Sequence, residues 1–147
     1  MNRPEVVVVF WPSHAQLVVF DPEASPCPDE AALWAFPGET GNLLSVRRTL
    51  LSVGLPDDGE VNVTLRAHTT EPGTPHGTWS VMAKTTFLAA SGVVGVGDVV
   101  SFEPVVTVEV PPGPLRVRLL ETSTMICRAF SFQVDVWPFL GPTEGTN

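Results

Sequence analysis

Valine sets what this chain can fold into: 23 valines stand against a single isoleucine, Ile126. Valine is stiff at its first side-chain torsion and favours pleated backbone. The valine-rich runs are short, because 12 glycines and 15 prolines interrupt them every few residues. Many short β-branched runs between turn signals predict an all-β fold, an antiparallel β-sandwich of about 8–9 strands. Three runs alternate with period two: Val61-Asn62-Val63-Thr64-Leu65-Arg66-Ala67-His68, Leu115-Arg116-Val117-Arg118-Leu119 and Phe130-Ser131-Phe132-Gln133-Val134-Asp135-Val136. Each reads as a strand with one face buried and one face polar. The run Val6-Val7-Val8-Val9-Phe10-Trp11 is apolar on both faces and predicts a strand covered on both sides.

The expected strands are 5–11, 15–21, 43–52, 60–69, 78–90, 93–101, 104–110, 115–121 and 129–137. Asp57-Asp58-Gly59 and Ser91-Gly92 supply residues tolerant of positive φ, and Pro111-Pro112-Gly113-Pro114 cannot sustain a ladder. One short helix is expected at 28–36, with Pro28 in its first turn and Asp29 and Glu30 at the positive end of its dipole. At 147 residues the chain is one domain, 1–140, with a polar tail at 141–147. The Pro-rich stretch 22–28 reads as a long loop within that domain.

Apolar residues make up 44% and charged residues 16%, a composition that folds. Sixteen acidic residues outnumber eight basic ones, for a net charge of −8, and Lys84 is the one lysine. That balance argues against binding nucleic acid or an anionic membrane, and it favours a basic partner. No apolar run reaches the roughly 18–20 residues of a membrane span. The run at 6–11 is too short for a signal core, so the expected location is the cytoplasm.

Catalytic and metal motifs are weak. Cys27 and Cys127 form no CxxC pair and read as reduced thiols. His14, His68 and His76 have no ligand spacing; His68 and His76 flank one loop and, with Glu71, would make a poor metal site. Asp57-Asp58-Gly59-Glu60 lacks the alternating acids of a calcium loop. The glycines of Gly92-Val93-Val94-Gly95-Val96-Gly97-Asp98 precede a strand rather than a helix. They therefore mark a bulge or a twisted edge, not a dinucleotide site. Asn62-Val63-Thr64 is a glycosylation sequon only in a secreted protein. Arg116, Arg118 and Arg128, near Arg47 and Arg48, could bind a phosphate or carboxylate but read better as a solvated strand face. No acid, base and nucleophile set emerges, so no enzyme is expected, and neither a cofactor nor a metal.

The sharpest charge feature is acidic. Residues 21–42 hold Asp21, Glu23, Asp29, Glu30 and Glu39 without a single base, with Trp34 and Phe36 among them. Asp57, Asp58 and Glu60 form a second acidic knot. Carboxylates around an aromatic anchor suit a basic protein partner. The expected partner-binding residues are therefore Asp21, Glu23, Asp29, Glu30, Trp34, Glu39, Asp57 and Asp58. The competing reading makes Trp34 and Phe36 a cap on the sandwich core.

Two stretches carry a family resemblance. Ser13-His14-Ala15-Gln16-Leu17-Val18-Val19-Phe20-Asp21 is similar to the N-terminal strand motif of the competence protein J family of bacterial nuclease inhibitors. Residues 79–121 resemble its central and C-terminal part: strand, Ser91-Gly92 turn, glycine-bearing strand, further strand, Pro112-Gly113 turn and Leu115-Arg116-Val117. The resemblance implies a small intracellular β-sandwich that binds and inhibits a partner nuclease. It carries over no individual inhibitory residue.

The alternative is a small-ligand or carbohydrate-binding sandwich using Trp11, Trp34, Trp79 and Trp137 for stacking. A homodimer is also expected, paired through an edge strand at 93–100.

Overall fold

A computed structural model describes residues 5–12, 16–23, 44–47, 50–55, 59–75, 77, 79–98, 103–122 and 130–139. Among them ten strands form two five-stranded sheets. The strands are β1 (Glu5–Phe10), β2 (Gln16–Phe20), β3 (Leu44–Arg47), β4 (Leu50–Gly54) and β5 (Val61–Ala67), then β6 (Trp79–Ala89), β7 (Val93–Asp98), β8 (Val106–Glu109), β9 (Gly113–Thr122) and β10 (Phe130–Pro138). The first sheet has the order β1-β5-β10-β9-β6 and the second β3-β4-β2-β7-β8. The all-β sandwich read from the valine runs is the observed fold. The expected helix at 28–36, the tail, both cysteines, His14 and His76 lie outside the described residues.

Alternation explains the core. Val61, Val63 and Leu65 of β5 and Val134 and Val136 of β10 point inward with Val117 and Leu119 of β9. Leu17 and Val19 of β2 and Leu51 and Val53 of β4 meet them from the second sheet. Each such side chain contributes about 1.5–3 kcal/mol when fully buried. The second sheet is also buried on its outer side, where Val18, Phe20 and Leu50 form a separate cluster.

Four details differ from the sequence reading. The expected strand 43–52 is instead two antiparallel strands, β3 and β4, with Arg47 opposite Leu50. The two residues between them, Arg48-Thr49, carry none of the Gly, Pro, Asn or Asp signals that mark a turn. β5 and β10 pair in parallel, whereas the other pairings are antiparallel. β1 buries only Val6, Val8 and Phe10 against the core, while Val7 and Val9 remain exposed, as does Trp11 beyond its end. β7 lies between β2 and β8, so it offers no free edge for the dimer pairing expected at 93–100.

The glycines of β7 have a packing cause. A Cβ on Gly95 would sit 2.8 Å from the Pro104 Cβ, and one on Gly97 would sit 2.5 Å from the Glu103 carbonyl oxygen. They let the returning chain cross close over the strand, where Val105 N–H donates to Val96 O at 2.7 Å. A bulge is not needed to explain them. Gly92, with φ of +81°, turns the chain from β6 in the first sheet to β7 in the second. Its N–H donates to Ala89 O at 3.1 Å.

Candidate functional site

The register of the first sheet sets a row of charged residues side by side on its outer face. Glu5 of β1 lies opposite Arg66 of β5, Arg66 opposite Asp135 of β10, Asp135 opposite Arg118 of β9, and Arg118 opposite Lys84 of β6. Each residue alternates with inward-facing core residues on its strand, so the same period that builds the core builds this row.

Asp135 is its centre. The residue is 0% exposed, and both carboxylate oxygens are engaged. His68 Nε2 lies 2.9 Å from Oδ1, and Arg66 Nε lies 3.3 Å from the same oxygen. The Arg66 contact is an ion pair that is not aligned as a hydrogen bond. Arg118 Nη2 donates to Oδ2 at 3.1 Å, and Gln133 Nε2 donates to Oδ2 at 3.2 Å. A carboxylate taken fully out of water survives only with such partners. Arg118 is itself 7% exposed, so its charge depends on Asp135 in turn.

The loop residues 69–75 fold across this row. Arg118 Nη1 donates to Gly73 O at 2.8 Å, and Lys84 Nζ pairs with Glu71 at the sheet edge. The Glu71 carboxyl is held below its ordinary value, first by the hydrogen bond from Lys84 and then by the charge of that ammonium. Between loop and sheet lies a cleft of about 380 Å³, walled by Arg66, His68, Pro72, Pro75, Trp79 and Gln133. A second hollow, of about 390 Å³, has Glu71, Arg116, Trp137 and Phe139 in its wall. Arg116 stacks over Phe139, 5.3 Å from the ring centroid, and Lys84 lies 5.8 Å from that of Trp137.

The sequence reading missed Asp135 and took Arg118 for a solvated cation. The signal was present as three polar faces on three alternating strands, but one sequence does not say that these faces are neighbours. The weaker reading, in which the arginines gather to bind an anion, involves residues of both sheets. Arg116 and Arg118 belong to the first sheet, Arg47 belongs to β3 of the second, and Arg48 and Arg128 fall outside the described residues. Of the weak metal reading at His68, His76 and Glu71, His68 pairs with Asp135 and Glu71 with Lys84, and His76 lies outside the described residues.

Of the expected partner-binding residues, Asp21 and Glu23 are described. Glu23 is exposed. Asp21 is only 3% exposed and accepts hydrogen bonds from Ser91 N–H at 2.9 Å, Ser91 Oγ at 2.6 Å and Glu23 N–H at 3.0 Å. It ties the end of β2 to the β6–β7 turn, a role that its place at the end of an apolar run could have suggested. Asp29, Glu30, Trp34, Glu39, Asp57 and Asp58 lie outside the described residues.

No family model matches the chain, and no curated protein matches it. Solved structures do. ComJ from Bacillus subtilis, an inhibitor of the DNA-degrading activity of NucA, aligns with a TM-score of 0.63 and 12% identity. That match covers 91% of this chain and 96% of ComJ. The protein of crocagin biosynthetic gene J aligns with a TM-score of 0.64 and 16% identity, over 94% of this chain and 99% of its own. Across nearly the whole of its length, this chain has the fold of ComJ and of the crocagin protein.

Proposed function

We propose that this protein is a non-enzymatic, protein-binding β-sandwich that inhibits a basic partner, of which a nuclease is the leading example, in the cytoplasm. The observation that carries the reading is the shared fold with ComJ over 91% of this chain. The net charge of −8 supports it. A nuclease presents a basic groove to the phosphates of DNA, and clustered carboxylates compete for such a groove. Asp29, Glu30 and Glu39, around Trp34, are the residues assigned to that contact, with Glu23, Asp57 and Asp58 beside them. Asp21 is left out of the set because its carboxylate is spent inside the fold.

The test is co-purification from the native host followed by a DNA-degradation assay on the captured protein. The expected result is a basic nuclease whose activity falls when an equimolar amount of this chain is added. Full nuclease activity at a large excess of the chain would overturn the reading.

A further inference from the structure

The cleft beneath loop residues 69–75 has no part in the inhibitor reading. Its charge does not balance internally. Two guanidinium groups, Arg66 and Arg118, converge on the one carboxylate of Asp135. Glu71, the acid of the loop, is taken by Lys84, and Glu5, opposite Arg66 in the register, does not line the cleft. A surplus positive charge is therefore left on the cleft wall.

The two arginines are used differently. Arg118 is committed: one terminal nitrogen holds Gly73 O and the other holds Asp135. Arg66 meets Asp135 only through Nε, and its side chain is 34% exposed on the cleft wall. Its terminal nitrogens have no partner among the described residues. The buried carboxylate thus fixes one edge of the Arg66 guanidinium and leaves donors for an oxyanion. His68, 27% exposed, is fixed by the same carboxylate through Nε2. The indole of Trp79 and the rings of Pro72 and Pro75 supply apolar wall next to these polar groups. A volume of about 380 Å³ is that of a small-molecule site.

We infer that this cleft binds a small oxyanion, a carboxylate or phosphate carried on a flat apolar body, with Arg66 taking the oxyanion and Trp79 the body. Arg118 and Asp135 are positioning residues for Arg66. This inference does not depend on the inhibitor reading.

The test is a titration of the full chain with benzoate and, separately, with phenyl phosphate, against sodium chloride at matched ionic strength. The readouts are the Trp79 indole N–H resonance and the melting temperature. At least one probe is expected to shift the resonance saturably and to raise the melting temperature above the chloride control, and which one does so identifies the oxyanion. Arg66→Gln is expected to weaken that binding roughly ten- to hundredfold, the loss of a charge-assisted hydrogen bond. Arg116→Gln, which removes an equal charge from the same sheet face outside the cleft, is expected to leave it unchanged. If Arg66→Gln does not fold, the wild-type melting series decides alone. Two results would overturn the inference: neither probe acting beyond chloride, or Arg116→Gln weakening binding as much as Arg66→Gln.

Discussion

The two outer faces of this sandwich solve the same problem with opposite chemistry. On the second sheet, Val18, Phe20 and Leu50 form a buried cluster, and the hydroxyl of Ser52 is buried with no hydrogen-bond partner among the described residues. On the first sheet, Asp135 and Arg118 are equally withdrawn from water but are held by each other and by Arg66, His68 and Gln133. Both faces are closed. In one, apolar surface does the holding and a polar atom is a burden; in the other, the polar atoms are the structure. A molecule with net charge −8 thus sets four of its eight bases, Arg66, Lys84, Arg116 and Arg118, on one face. The overall charge does not foretell the local one.

That contrast can be broken by substitution. The largest effect is expected from Asp135→Asn, which leaves Arg118 buried without its counter-charge and should cost about 3–5 kcal/mol in urea unfolding. An effect under about 1 kcal/mol would place Asp135 among ordinary surface ion pairs. On the apolar face, Leu50→Ala should cost about 2–3 kcal/mol, the lower part of the range for a buried leucine, because its cluster is small. Ser52→Ala should have the opposite sign. Removing an unpartnered buried hydroxyl is expected to raise stability by about 1 kcal/mol or leave it unchanged. A clear loss of stability would show that the two faces are built alike.

The smallest effect is at the loop over the charged face. The Glu71 carboxyl is lowered in the folded protein by Lys84, so its contribution is in place above the ordinary value of 4.5 and fades as pH falls through the lower folded value. Glu71→Gln should therefore lower stability slightly at neutral pH, and its difference from the wild type should vanish as pH falls below 4.5, which flattens the acid limb of the stability curve. An unchanged acid limb would remove Glu71 from the forces that hold the loop.

What could be read in advance follows the same division. The core was legible because alternation is a local pattern: Val61, Val63 and Leu65 declare their inward face from their own spacing. The site was not, because Arg66, Arg118 and Asp135 come from three strands whose adjacency depends on long-range register. The parallel pairing of β5 with β10 places Asp135 beside Arg66, and no local signal announces it. Asp21 shows the reverse case. Its acidic neighbourhood suggested a binding surface, but it closes β2, whose five residues are all buried, and there Ser91 takes the carboxylate inward.

The central functional claim is that acidic side chains drive association with a basic partner. It is tested most directly by the association rate with the captured nuclease as salt rises from about 20 to about 300 mM, for the wild type and for the variant Asp29→Ala, Glu30→Ala, Glu39→Ala. The wild-type rate is expected to fall by roughly tenfold or more across that range, and the variant to be slow at low salt and nearly flat. Equal rates for the two proteins at every ionic strength would contradict it.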